Sequence, residues 1–163
     1  KELFDFSLKQ ISVVVHPQSQ VHGMIRLTDN SFMAHMSKPC MIQPCKNALL
    51  FPLPHKNPNP PSFFDNPISF HFEPVDNTRF PLLKLAYQAG EQGHTSQIIY
   101  TVANQKGVEC FLNHQISFHE IAQGVEKALE HFSYQKITQV EQIFLIEQEA
   151  LQVTEKIFKG QKI

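Results

Sequence analysis

Two histidines frame the segment His16-Pro17-Gln18-Ser19-Gln20-Val21-His22, the strongest local signal for chemistry in the 163-residue chain. A neutral imidazole offers one donor and one acceptor and changes charge near neutral pH. Such a pair suits an anionic or polyhydroxylated small molecule. Pro17 fixes its own φ and ends the apolar run before it, which would hold Ser19 and His22 at a defined place. The same side chains could instead satisfy backbone groups of a turn. The residues by themselves leave both readings open.

Other chemistry is thinly represented. The three cysteines are Cys40, Cys45 and Cys110. A structural zinc site needs four ligands, and Cys40 and Cys45 have no second pair, so no metal site is expected. His114 and His119 flank a helix start and read as surface residues. No Gly-rich phosphate loop and no strained Gly-x-Ser-x-Gly turn is present. Fourteen Lys and Arg against fifteen Asp and Glu give a net charge of −1, without the basic excess that a nucleic-acid surface requires. Three cysteines are too few for a disulfide framework, which points to a reduced, cytoplasmic-type compartment. No apolar run approaches the about 20 residues that span a bilayer, so no membrane partner is expected. The start at Lys1, without a methionine and in what reads as mid-element, suggests a fragment.

The elements that would position these residues divide the chain in three. Ile11-Ser12-Val13-Val14-Val15 is a β-branched run that predicts a strand over 11–16. The apolar runs at 20–28 and 31–37 flank Asp29-Asn30, residues that tolerate positive φ, and predict an antiparallel hairpin beside that strand. A short helix is expected from Cys45 to Phe51, closed by Pro52. Seven of the eleven prolines then fall in 52–78, and that density forbids a helix interior or a central strand. Phe63, Phe64, Phe70 and Phe72 argue that this stretch is pinned against a domain, because exposed Phe clusters are an aggregation liability.

From Phe80 the period becomes helical. Leu82, Leu83, Leu85, Ala86 and Ala89 lead to Gly90 and Gly93 as a helix stop. Ser96 is the expected cap of a second helix carrying Ile99, Val102 and Ala103, with Gly107 a possible interruption before Cys110. Ser117-x-x-Glu120 and Thr138-x-x-Glu141 have the capping-box pattern. Behind them run the stripes Ile121, Val125, Ala128, Leu129, Phe132 and Ile143, Ile146, Ala150, Val153, Ile157. Four amphipathic helices with short polar turns bury their stripes as a bundle. The predicted fold class is α+β: antiparallel strands followed by an all-α, four-helix-bundle-like domain.

The stretch Ile11–Met24, ISVVVHPQSQVHGM, resembles a segment of the 1-deoxy-D-xylulose 5-phosphate reductoisomerase family that reads hydrophobic-HPQS-x-x-H-S-M. The similarity continues, in order, through Thr28-Asp29-Asn30-Ser31, Lys38-Pro39-Cys40-Met41 and Arg79-Phe80-Pro81-Leu82-Leu83-Lys84-Leu85-Ala86-Tyr87. It extends to Val102-Ala103-Asn104-Gln105, Cys110-Phe111-Leu112 and Ile116-Ser117-Phe118. Any one motif is weak, but their order and spacing are specific.

The resemblance implies an enzyme of isoprenoid biosynthesis that isomerises 1-deoxy-D-xylulose 5-phosphate and reduces the product with NADPH to 2-C-methyl-D-erythritol 4-phosphate, using a divalent metal (Mg or Mn). It implies that residues 1–51 belong to a catalytic and dimerising domain, that 52–78 link it onward, and that 79–163 form the helical domain. The NADPH site, the metal-binding carboxylates and the substrate-gripping lysine would precede Lys1. No catalytic residue, metal ligand or bound cofactor is therefore expected in this chain, which should be inactive in isolation. Ser19, His22 and His16 fall at substrate-binding positions, and Pro39 and Met41 on the loop near substrate and nicotinamide. Cys40 stands where the family has Asp, Ile42 where it has Arg, Gly23 where it has Ser and Gln105 where it has Glu. A homodimer and a cytoplasmic site, or a plastid-type organelle in a eukaryote, are the implied assembly and location. The alternative is a non-catalytic dimerisation or interaction module derived from the family.

Overall fold

Asp29 and Asn30 let the chain reverse between β2 (Val21–Arg26) and β3 (Phe32–Met36). Asn30 adopts φ +67°, and Asp29 Oδ1 accepts the Ser31 N–H at 2.9 Å and the Ser31 hydroxyl at 2.6 Å. These bonds hold the exposed Asp29 carboxyl below its usual range. The strands pair antiparallel from Arg26 opposite Phe32 to Val21 opposite Met36. β1, by contrast, is only Val14–Val15, and it does not join the hairpin. It pairs antiparallel with β4 (Glu73–Pro74), so the expected strand over 11–16 is shorter and its partner is the proline-rich stretch. Pro74 fits there because a two-stranded edge does not need its missing N–H.

The computed structural model describes residues 3–53 and 65–161. They form two units: Val13–Val75, and a helical unit of Asp76–Ile163 that also takes in Lys1–Ser12. That division differs from the expected boundaries at both ends of the strands. Tyr87 in helix α2 (Pro81–Gln92) donates its hydroxyl to the Ile11 carbonyl at 2.8 Å. A Cβ at Gly90 would meet Leu8 at 2.8 Å, so this glycine admits a side chain rather than stopping the helix. Gly93 provides the stop, with φ +76° and its N–H on the Ala89 carbonyl at 2.9 Å. Residues 54–64, with Phe63 and Phe64 and the prolines at 54, 58, 60 and 61, lie outside the described residues.

Helix α1 (Ile42–Leu50) begins one turn before the expected Cys45, because Pro44 is tolerated in a first turn whose N–H groups have no helical partner. Three longer helices follow α2: α3 (Thr95–Leu112), α4 (Phe118–His131) and α5 (Val140–Phe158). Ser96 does not cap α3; its hydroxyl donates to Gln92 Oε1 at 2.8 Å while His94 takes the cap position. Thr95 is buried and exchanges hydrogen bonds with the backbone of Gln135, which fixes the α4–α5 connection. Gly107 leaves α3 unbroken, and a Cβ there would meet Ile121 and Phe158 at 2.9 Å. At α4 the N–H and hydroxyl of Ser117 both donate to Glu120 Oε2 at 2.7 Å. The second box is displaced by one residue: Gln142 Oε1, not Glu141, receives the N–H groups of Thr138 and Gln139, at 2.8 and 3.1 Å. The core is Leu85, Ile99, Ala103, Val125, Ala128 and Ala150, with Leu129, Phe132, Ile146 and Ile157 packed against it. Thr154, fully buried, satisfies its hydroxyl on the Ala150 carbonyl at 2.6 Å.

Candidate functional site

Pro17 sits second in a tight turn that the Ser19 N–H closes on the His16 carbonyl at 3.0 Å. Ser19 itself adopts φ +50°, a conformation that a non-glycine residue holds only when its surroundings fix it. The surroundings here are residues 70–72. His71 donates its N–H to Gln18 Oε1 at 3.3 Å, and the Gln18 amide returns a bond to His71 Nδ1 at 2.6 Å. His16 Nδ1 lies 2.7 Å from the His71 carbonyl, which can only accept, so Nδ1 carries the proton. The His16 ring stacks on Phe72 with centroids 4.7 Å apart and touches Phe70 at 5.9 Å. Its Nε2 is buried without a partner among the described residues.

Beyond the turn the β2–β3 register slips. Val21 faces Met36 but Gly23 faces His35, so His22 is the extra residue of a bulge. A bulge re-aims the side chain it inserts. It brings the His22 ring to 6.0 Å from the His35 ring and His22 Nε2 to 2.8 Å from Ser37 Oγ. Ser37 is anchored by its own N–H on the Gln20 carbonyl at 3.0 Å.

Ser19, His22, His35, Ser37, Pro39, Cys40, Met41, Gln43, Pro44 and Asn47 together line a cleft of about 590 Å³ within the strand unit. Four of the five expected residues (Ser19, His22, Pro39 and Met41) meet there. His16 does not; it lies under Phe70 and Phe72 and reaches the cleft only through the turn. None of the lining residues carries a permanent charge, so polar recognition rests on hydroxyls, amides and imidazoles. Met41, 73% exposed, and Pro39 give the cleft an apolar edge. Cys40 lines it as an exposed free thiol, and Ile42, at the start of α1, is 63% exposed. Sequence reasoning missed His35, Ser37, Gln43 and Asn47. Hairpin pairing could have put His35 and Ser37 near Ser19 and His22, but the bulge that aligns them leaves no signature in residue type. Among the described residues no group of three His, Cys, Asp or Glu could hold a metal ion.

The family described as the DXP reductoisomerase C-terminal domain matches residues 36–153. The chain belongs to the DXP reductoisomerase family. A 1-deoxy-D-xylulose 5-phosphate reductoisomerase from Colwellia psychrerythraea is 35% identical over 150 residues, covering 92% of this chain and 36% of that protein. One from Leptospira biflexa is 40% identical over 131 residues, 78% of this chain and 33% of that protein. The Zymomonas mobilis reductoisomerase solved with NADPH aligns with a TM-score of 0.83 at 31% identity, over 96% of this chain and 42% of that one. A reductoisomerase solved with NADPH, fosmidomycin and magnesium aligns at 0.85 and 30% identity, over 96% and 41%. The chain thus spans between a third and about two fifths of the length of these reductoisomerases. Among the described residues no helix is long and apolar enough to cross a membrane.

Proposed function

We propose that this chain supplies one wall of the substrate site of a reductoisomerase that converts 1-deoxy-D-xylulose 5-phosphate to 2-C-methyl-D-erythritol 4-phosphate with NADPH and a divalent metal. The observation that carries the reading is the cleft that gathers Ser19, His22, Pro39 and Met41. His22 and Ser19 would hydrogen-bond the hydroxyl-bearing substrate, and His16 would act indirectly by holding the turn. Pro39 and Met41 would exclude water from the reacting carbon during hydride transfer. The described residues do not fit the metal, since they provide no cluster of three His, Cys, Asp or Glu ligands. The metal, the NADPH and the groups that move protons would be held by other segments of the complete enzyme. Three free cysteines fit a reducing compartment, the cytoplasm or a plastid-type organelle.

A second reading, a dimerisation module, is favoured by one feature. Ile25 and Phe32 are each 64% exposed and Met33 62%, so the hairpin offers apolar surface to a second copy. The two readings are compatible in a homodimeric enzyme and part company at the cleft. Steady-state kinetics of the complete enzyme separate them. His22→Gln is expected to raise KM with a smaller loss in kcat, since the hydride donor and metal lie elsewhere. His114→Gln, in the turn after α3, is expected to change neither. A wild-type KM in His22→Gln would leave only the dimerisation module.

A further inference from the structure

The Ser37 hydroxyl makes two contacts, and together they bear on the state of His22. Ser37 Oγ lies 3.2 Å from the Lys38 carbonyl, which can only accept, so the single hydroxyl proton is directed there. The same Oγ lies 2.8 Å from His22 Nε2 and must then be the acceptor in that bond. In that arrangement Nε2 carries the ring proton, and the neutral ring presents Nδ1 as a bare acceptor. Nδ1 has no protein partner among the described residues, while His22 itself lines the cleft. The backbone of Ser37 is tied to Gln20 across the start of the hairpin, so the hydroxyl is held by the bulge that aims the ring.

From this we propose that Ser37 is a positioning residue for His22. It locks the imidazole as the Nε2–H tautomer and leaves Nδ1 to accept a hydrogen bond from a hydroxyl group of the ligand. A free imidazole samples both tautomers and several ring orientations. A ring held in one of each has already lost the freedom that binding would otherwise remove. The Lys38 carbonyl completes a short relay from backbone through hydroxyl and imidazole to ligand, of the kind by which one hydrogen bond sets the role of the opposite ring nitrogen. The inference rests on the reading of the cleft as the substrate site, but its first half concerns this chain alone.

The test has two arms. In the ¹⁵N-labelled chain at a pH where imidazole is neutral, long-range proton–nitrogen correlations should show His22 wholly as Nε2–H, with Nδ1 pyridine-like. Ser37→Ala should draw the two nitrogen shifts toward each other as tautomers mix, and Ser37→Thr should restore them. Ser31→Ala, which removes a hydroxyl at the other end of the hairpin, should leave the His22 shifts in place. Averaged or Nδ1–H shifts in the wild-type chain would overturn the lock. In the complete enzyme, Ser37→Ala should raise KM for 1-deoxy-D-xylulose 5-phosphate about twofold to tenfold, the scale of one hydrogen bond, with kcat little changed and Ser37→Thr near wild type. A raised KM in His22→Gln with none in Ser37→Ala would overturn the positioning role. A locked tautomer with KM unmoved in both variants would overturn the substrate site and the ligand half of this proposal, leaving the hydrogen bond intact.

Discussion

The helical unit closes around its own core, whereas the strand unit buries no residue fully among those described. Ile99, Ile121, Val125 and Thr154 are each at most 2% exposed, and all lie in helices α3 to α5. In the hairpin, both strands carry large apolar side chains that stay in solvent. The difference separates two ways of using hydrophobic residues. The helices bury one stripe of them in a shared core while leaving Phe118, Phe144 and Leu145 exposed, whereas the hairpin leaves Ile25, Phe32 and Met33 exposed with no core behind them. The candidate site belongs to the second region. Its geometry therefore depends on turn and bulge hydrogen bonds more than on packing.

Substitutions in each unit test that contrast. The largest effect is expected from Ile121→Ala, which should cost about 2–5 kcal/mol in chemical denaturation through lost transfer energy plus a cavity. Gly124→Ala comes next. A Cβ there would run into the Phe158 ring, and overpacking of this kind costs about 1–3 kcal/mol. Ser117→Ala should cost about 1 kcal/mol by loss of the cap.

The same cap predicts a pH dependence. Hydrogen bonds from the Ser117 N–H and hydroxyl hold the Glu120 carboxyl below its usual value of 4.5. A lowered folded pKa means that the stabilisation is present above the unfolded value and is lost as pH falls through the folded one. The melting temperature of the chain should therefore decline on acidification below about pH 4.5, and less steeply in Glu120→Gln. A decline of equal slope in both would remove the cap from the account.

The smallest change in the stability of the isolated chain should come from Ile25→Ala, within about 0.5 kcal/mol, as for an exposed position. Ile25→Glu together with Met33→Glu should still shift the sedimentation of the assembled protein toward monomer. A loss of several kcal/mol in Ile25→Ala would show that the two regions are not so different.

How far the sequence could be read follows the same line. Amphipathic stripes such as Ile121-Val125-Ala128 announce helices, because burial in a bundle repeats with the helical period. Asp29-Asn30 marks the hairpin by the conformations those residues accept. The pairing of β1 with β4 was not legible, since Glu73-Pro74 resembles no strand and the contact is made across a long excursion of chain. Gly90 and Gly107 read as breaks in a helix and are in fact places where Leu8, Ile121 and Phe158 come close. Residue type shows that a glycine lacks a side chain, but not whose side chain fills the space. At the site, the order of His16, Ser19 and His22 was legible. That one histidine supports the turn while the other lines the cleft is decided by residues 70–72 and by a one-residue slip in register.

The position of Phe158 also bears on the order of events during synthesis. Its ring seats against Gly107 and Gly124, on helices that leave the ribosome well before it does. Until the end of α5 clears the exit tunnel, α3 and α4 can meet, but the seam their glycines create has nothing to fill it. A chain truncated before Phe158 should hold its helices in a loose, protease-sensitive association, and restoring the last turn of α5 should tighten it.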